Sequence, residues 1–219
     1  MSCFRVGPEL LRMKKRSFIR VVLHYIKDVI FFRREIGLLT KRNFSNFGKQ
    51  SILAKPYLQL SGCKNIVIGM NTTILSYCRL SVYGDSINDS IIIGNNCYIG
   101  YNFTVLASSK SKIIIGNNVL IASSVIITNE NHGIDPTNKI NYMDQELTSN
   151  DVYIGDGCWI GEKVCILPGV QIGKKCIIGA GAVVTKSIPE YSIAVGNPAK
   201  ITKIYNFKTK RWERLAHKK

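Results

Sequence analysis

Between residues 154 and 189 the chain divides into six consecutive hexads, IGDGCW, IGEKVC, ILPGVQ, IGKKCI, IGAGAV and VTKSIP, with no residue left over. Each hexad opens on an aliphatic residue, and the second position is mostly Gly. The fifth is small or aliphatic: Cys158, Val164, Val170, Cys176 and Ala182. Earlier copies are IGMNTT from residue 68, IGNNCY from 93, IGYNFT from 99, IGNNVL from 115 and IASSVI from 121, with Cys97, Val119 and Val125 at the fifth position. A strict period of six is neither the two of a strand nor the 3.6 of a helix. What satisfies it is a short strand followed by a tight turn, with three such sides closing one coil of 18 residues. Such coils stack at the ordinary strand spacing of about 4.8 Å. The fold class expected is an all-β solenoid, a parallel β-helix. Residues 18 apart then stack: Ile154 on Ile172, Cys158 on Cys176, Ile160 on Ile178. The cysteines serve as small interior fillers, and Gly is expected where the corners demand unusual backbone conformations.

Two segments break the phase. Residues 84–90, GDSINDS, read as a surface turn or insertion, and residues 128–151 form a longer excursion. The excursion carries His132, the one histidine outside the terminal regions, where His24 and His217 lie. A long, non-repetitive departure from a solenoid is more often functional than accidental.

Charge is unevenly placed along the chain. Residues 1–42 hold 11 Lys/Arg against 3 acids and residues 200–219 hold 8 against 1, whereas residues 43–199 hold 11 against 10. A nearly neutral body with two basic ends points to local electrostatic roles and away from a nucleic-acid-coating surface. Residues 9–36 repeat apolar side chains at intervals of three and four (Phe18, Val22, Tyr25, Val29, Phe32, Ile36) with Lys and Arg on the remaining face. They are expected to form a basic amphipathic helix. It would pack on the protein itself, on a neighbouring subunit, or peripherally on an anionic membrane. The seven cysteines are odd in number and fit neither a C-x-x-C pair nor a small secreted scaffold, so they are read as reduced thiols. No apolar run approaches the roughly 18 residues that span a bilayer, and no signal peptide is recognised. The expected location is cytoplasmic, with a peripheral position at the inner face of the membrane as an extension of that reading. The expected organisation is a helical extension over 1–50, a β-helix over 51–199 with the excursion at 128–151, and a basic tail or helix over 200–219.

From Val152 to Lys203 the sequence VYIGDGCWIGEKVCILPGVQIGKKCIIGAGAVVTKSIPEYSIAVGNPAKITK resembles the C-terminal half of hexapeptide-repeat O-acetyltransferases. It is most similar to the group holding maltose and galactoside acetyltransferases and those of bacterial capsule and O-antigen clusters. The resemblance covers about residues 60–205 and rests on the hexads, a histidine after IASSVII, and the motifs CWIG, IGAGAVVTK and GNPAK. It implies a left-handed helix, although the ordinary crossover rule favours the opposite hand. It also implies a homotrimer with active sites between subunits, acetyl-CoA as donor, no resident metal, and direct transfer to a sugar hydroxyl without an acyl-enzyme.

A hydroxyl is a poor nucleophile near neutral pH, and attack on a thioester requires a base. Imidazole, with a reference pKa of about 6.5, suits the task, and such bases contribute about 10² to 10⁴ in rate. His132 matches the family's catalytic histidine. Asn102 matches an asparagine that binds the sugar acceptor; a corner Asn is the structural alternative. An acidic residue near the acceptor in galactoside enzymes falls at Lys110 here, a departure that bears on acceptor identity. Asp135 or Glu130 could orient the imidazole or line the acceptor pocket. Trp159 matches a tryptophan beside the acetyl and pantetheine arm. Gly161, Gly179, Ala180 and Thr185 match positions along the pantetheine groove, and Lys186, Lys200 and Lys203 lie where the family places cations near the CoA phosphates. Pro198 in GNPAK ends the last coil and redirects the chain.

The leading expectation is an O-acetyltransferase acting on a surface polysaccharide or its precursor. N-acetylation of a nucleotide-linked amino sugar uses the same donor and stands as the alternative, with another small hydroxyl acceptor behind it. A zinc hydratase would need about three histidine ligands, and the other two histidines lie in the terminal extensions. A non-catalytic scaffold predicts that His132 is dispensable. A nucleic-acid module lacks a basic-aromatic stripe on the neutral body.

Overall fold

The computed structural model describes residues 43–84 and 88–215; the expected helix over 9–36 lies outside them. Three parallel sheets form the faces of a prism, and the chain visits them in rotation. Face one runs from Asn46–Phe47 through Ile66–Ile68, Ile91–Ile93, Ile113–Ile115 and Val152–Ile154 to Gln171–Ile172. Face two begins at Ile52–Leu53 and face three at Gln59–Ser61. Every strand is short because each hexad spends half its length on the corner.

The hexad register holds. Ile154 pairs with Ile172 and Ile160 with Ile178, as the spacing of 18 requires. The opening aliphatic residues Ile154, Ile160, Ile166, Ile172, Ile178 and Val184 are all buried, and so are the fifth-position residues. This single interior column of Ile, Val, Leu and Cys is the core. Burying each such side chain is worth roughly 1.5–3 kcal/mol. The fifth position does more than fill space. The Thr72 hydroxyl donates to the Gly94 carbonyl at 2.8 Å, and the thiols of Cys97, Cys158 and Cys176 donate to carbonyls of Gly116, Gly173 and Pro189 at 3.2, 3.1 and 3.0 Å. A small donor in this column thus satisfies a buried carbonyl of a neighbouring coil.

The period lengthens toward the N-terminus. Ile68 pairs with Ile93, Ile93 with Ile115 and Ile115 with Ile154, separations wider than 18. The insertion at 84–90 and the excursion at 128–151 account for two of these widenings. A third was not expected: the strand Thr104–Ser108 runs to five residues and adds an extra turn before Ile113–Ile115.

Glycine's role differs from expectation at two positions. Gly161 does not adopt a positive φ; a Cβ there would sit 2.6 Å from the Ala180 nitrogen of the next coil. At Gly179 a Cβ would meet the Val195 side chain at 2.6 Å. Close stacking of coils, not corner strain, selects these glycines. The left-handed corner residues are mostly others, including Asn96, Asn102, Asn118, Lys163 and Lys175.

The C-terminal segment, expected as a tail or helix, is a strand pair. After Ser192–Val195 the chain turns at Gly196–Pro198, and Lys200–Asn206 and Arg211–Arg214 add antiparallel to the edge of face two. The physical reason is an open sheet edge at the end of a solenoid, whose unpaired backbone groups need cover. Aromatic contacts lock the pair: Tyr205 with Trp212 at 5.3 Å, Tyr205 with Phe207 at 5.2 Å and Tyr191 with Phe207 at 4.8 Å, all edge-to-face.

Candidate active site

The excursion that carries His132 is a built structure. At its root the buried Asn129 accepts from the Ser108 amide at 2.8 Å and donates to the Ser108 carbonyl at 3.3 Å. Glu130–Asn131 then pair antiparallel with Thr148–Ser149, the Ser111 and Ser149 hydroxyls meet at 2.8 Å, and Asp151 accepts from the Lys112 amide at 2.8 Å. Inside the loop Gln145 is buried. Its amide donates to the carbonyls of Asp135 and Ile140 at 3.0 and 3.3 Å and accepts from the Asp135 amide at 3.1 Å. Gly133, directly after His132, packs against Gln145. Reading the sequence did not single out Gln145, because a keystone in an aperiodic loop is defined only by the carbonyls it reaches.

His132 is exposed on the wall of a concavity of about 740 Å³, lined also by Asn131, Gly133, Ile134, Tyr142 and Thr148. Around it Ile134 is 82% exposed, Met143 75% and Tyr142 57%. Large apolar groups at such exposure are a surface that needs cover.

The two carboxylates expected near the imidazole behave differently. Asp135 accepts from the Thr137 amide at 2.8 Å and hydroxyl at 2.6 Å, which holds its carboxyl below the usual range. It is committed to its own turn. Glu130 is half-buried, and its Oε2 is buried without a hydrogen-bond partner among the described residues. Burial raises its carboxyl, and the charge of His132 pulls the other way. Of the two carboxylates, Glu130 is the one whose carboxyl responds to the charge of His132.

Asn102 sits in a coil corner at φ 55°, and its amide nitrogen reaches the Ser124 hydroxyl at 3.4 Å. The corner role accounts for it, and it does not line the His132 concavity. Lys110 pairs with Glu146 of the excursion at 3.4 Å, both well exposed.

The residues expected around the cofactor gather elsewhere. Trp159 is 50% exposed and points out from face two, in register with Leu120 before it and Ile177 after it. Ala180 is exposed at the corner that follows Ile177–Ile178; Gly161 is buried beneath it and Gly179 is partly covered. Thr185 and Lys186 are exposed just past Val183–Val184. Lys200 pairs with Val195 and Lys203 with Ile193 on the added strand. None of these residues lines the concavity beside His132. The described chain therefore carries an imidazole on an excursion and, away from that concavity, an apolar-to-cationic strip on a face. Among the described residues, no three His, Cys, Asp or Glu cluster as metal ligands do.

Comparison with known proteins agrees with this geometry. Residues 151–186 match the model of the bacterial transferase hexapeptide, six repeats. The Escherichia coli K12 protein WbbJ, named for O-acetyl transfer in lipopolysaccharide biosynthesis, is 35% identical over 94% of this chain and 99% of its own length. The galactoside O-acetyltransferase of the same organism is 36% identical over 58% of this chain and 60% of its own. Among solved structures, a galactoside acetyltransferase in complex with coenzyme A superposes with a TM-score of 0.52 at 27% identity, covering 81% of this chain and 74% of that one. The N-acyltransferase AntD from Bacillus cereus shares the fold, with a TM-score of 0.64 at 24% identity over 78% and 89% of the two chains. With coils of this register and a relative matched end to end, the chain belongs to the hexapeptide-repeat acetyltransferases, acyltransferases built on a left-handed parallel β-helix.

Proposed function

We propose that the protein transfers an acetyl group from acetyl-CoA to a sugar hydroxyl of a bacterial surface polysaccharide, capsule or O-antigen, or of its precursor. His132 acts as the general base, and the site forms where two subunits of a homotrimer meet. The observation that carries this reading is the separation of the half-sites. The imidazole stands on an internally hydrogen-bonded excursion whose rim is apolar and exposed, and the strip that runs from Trp159 to Lys203 lies on a different part of the same chain. A second copy supplies the missing half of each. The similarity to WbbJ, which spans nearly the whole of both chains, supports a glycan acceptor.

In this reading Glu130 holds the imidazole ring in orientation and balances the charge it gains. His132 takes the hydroxyl proton as the acceptor oxygen attacks the thioester carbonyl. The carbon–sulfur bond breaks as the tetrahedral centre collapses, and the thiolate of CoA leaves with that proton returned from His132. Trp159 covers the pantetheine arm, while Lys186, Lys200 and Lys203 face phosphates. Asn102 and Asp135 do not line the His132 concavity of their own chain, so in this reading either reaches the acceptor only across the seam between subunits.

The test is transfer from acetyl-CoA to a panel of oligosaccharides, with nucleotide-linked amino sugars as a separate arm. His132→Ala is expected to lower turnover about 10² to 10⁴-fold with the oligomer intact. Full turnover by His132→Ala would refute the assignment. Preference for amino over hydroxyl acceptors would move the function to N-acetylation, a form of the N-acyl transfer for which AntD is named.

A further inference from the structure

The turn that joins Lys200–Asn206 to Arg211–Arg214 is braced from within. The Asn206 side-chain oxygen accepts from the amides of Lys208 and Thr209 at 2.8 and 3.3 Å, and its nitrogen donates to the two Glu213 oxygens at 2.9 and 3.0 Å. The Thr209 hydroxyl donates to Glu213 at 2.7 Å, and Lys210 takes the left-handed backbone at φ 54°. A turn held in this way presents its outward side chains in a fixed arrangement. The Phe207 ring meets Tyr191 and Tyr205 edge-to-face, yet it stays 63% exposed, the most exposed aromatic side chain among the described residues.

A lone exposed apolar group needs no explanation, but Phe207 is not alone. With Ile204, 37% exposed, and Leu215, 40% exposed, it lines one concavity of about 570 Å³ on the hairpin. Around this apolar surface the charge has one sign. Residues 207–214 hold Lys208, Lys210, Arg211 and Arg214 against Glu213 alone. All four cations are exposed, and among the described residues none of them is in an ion pair. Glu213 is engaged in the bracing bonds from Asn206 and Thr209, which hold its carboxyl below the usual range.

We propose that this turn docks the protein on an anionic lipid leaflet, with Phe207 in the headgroup–acyl boundary and Lys208, Lys210 and Arg211 on the headgroup phosphates. Apolar and aromatic side chains gain from that boundary, and basic residues beside it gain from the negative potential of the surface. The pairing of an apolar anchor with a basic fringe favours lipid over a soluble polyanion, which would engage the cations and leave the ring in water. Along the strand Phe207 stands about 13 Å beyond Lys203, so this contact is separate from the cations proposed to face donor phosphates. It is separate too from the segment 9–36, which lies outside the described residues. Docking here serves hydroxyl and amine acceptors alike, and it would bring the enzyme to acceptors carried on a membrane.

The experiment measures co-sedimentation of the full chain with phosphatidylcholine vesicles, with and without phosphatidylglycerol. Binding is expected only with phosphatidylglycerol, falling as salt rises. Lys210→Ala is expected to lower the partition about fivefold, the factor that one cation contributes at an anionic surface. Phe207→Ser is expected to lower it by a similar factor while leaving retention on heparin, a polyanion without an apolar layer, unchanged. Phe207→Trp is expected to keep the binding and to add an emission, over that of the parent, that brominated lipid quenches. Each variant is expected to retain the parent's urea midpoint and its transfer to a soluble acceptor, so that docking is read apart from folding and chemistry. A vesicle partition unchanged in both Lys210→Ala and Phe207→Ser would overturn the inference and assign any lipid binding to another part of the chain. Equal losses on heparin and on vesicles in Phe207→Ser, or no added quenching in Phe207→Trp, would overturn it in favour of an acidic polymer.

Discussion

Trp159 and Ile160 are neighbours in sequence and opposite in placement, one half-exposed on face two and the other fully buried. Ile160→Ala is expected to cost about 2–5 kcal/mol, the range for emptying a core site, read as a lower urea midpoint. Trp159→Ala is expected to leave that midpoint nearly unchanged and to raise KM for acetyl-CoA. Glu130 offers a different contrast. Because burial raises its carboxyl, the folded chain holds that proton more tightly than the unfolded one. That contribution to stability is present at low pH and is lost as pH rises through the raised value. At neutral pH the ionised carboxylate therefore costs stability. Glu130→Gln is expected to melt no lower than the parent at neutral pH, while turnover falls and the pH dependence of kcat/KM shifts; a lower melting temperature with unaltered kinetics would contradict the positioning role. Cys78, fully buried, has its thiol pushed up to about 12 by desolvation. It is expected to resist alkylation near pH 8 until the chain is unfolded, as thiolate is the reactive form.

At the scale of elements, the coils were legible because one residue type recurs at one spacing: an aliphatic residue every sixth position, checked by Ile154 over Ile172 and Ile160 over Ile178. The excursion was legible only as an interruption. Its internal order depends on Gln145 reaching Asp135 and Ile140, contacts without any period. The closing hairpin escaped for another reason. KITKIYN lacks the strict polar–apolar alternation of a strand, its lysines read as a solvated tail, and the turn at Phe207–Lys210 lacks the Asn-Gly or Gly signal of a tight hairpin. Asn102 shows the converse, since a family match and a corner preference both pick the same residue and only the φ of 55° and the bond to Ser124 reveal the corner. Gln145→Ala is expected to loosen the excursion, seen as faster amide exchange over 133–145, and to lower turnover without moving the urea midpoint of the coils.

For the whole molecule, the account requires the excursion of one chain to meet the outer strip of another. Ile134 and Met143, the most exposed apolar groups of the excursion, are the surface that such a meeting would cover. Ile134→Asp combined with Met143→Asp is expected to shift the protein toward monomer in sedimentation, with the β-sheet spectrum retained and transfer lost. The measurement that bears most directly on the shared site mixes two inactive variants, His132→Ala and Ala180→Trp, the second filling the proposed groove. If each site draws its imidazole from one subunit and its groove from the next, co-refolded mixtures recover transfer. Recovery should be roughly a quarter of wild type at equal mixing, the chance that a seam joins one intact half from each side. A mixture as inactive as its two parents would contradict the account.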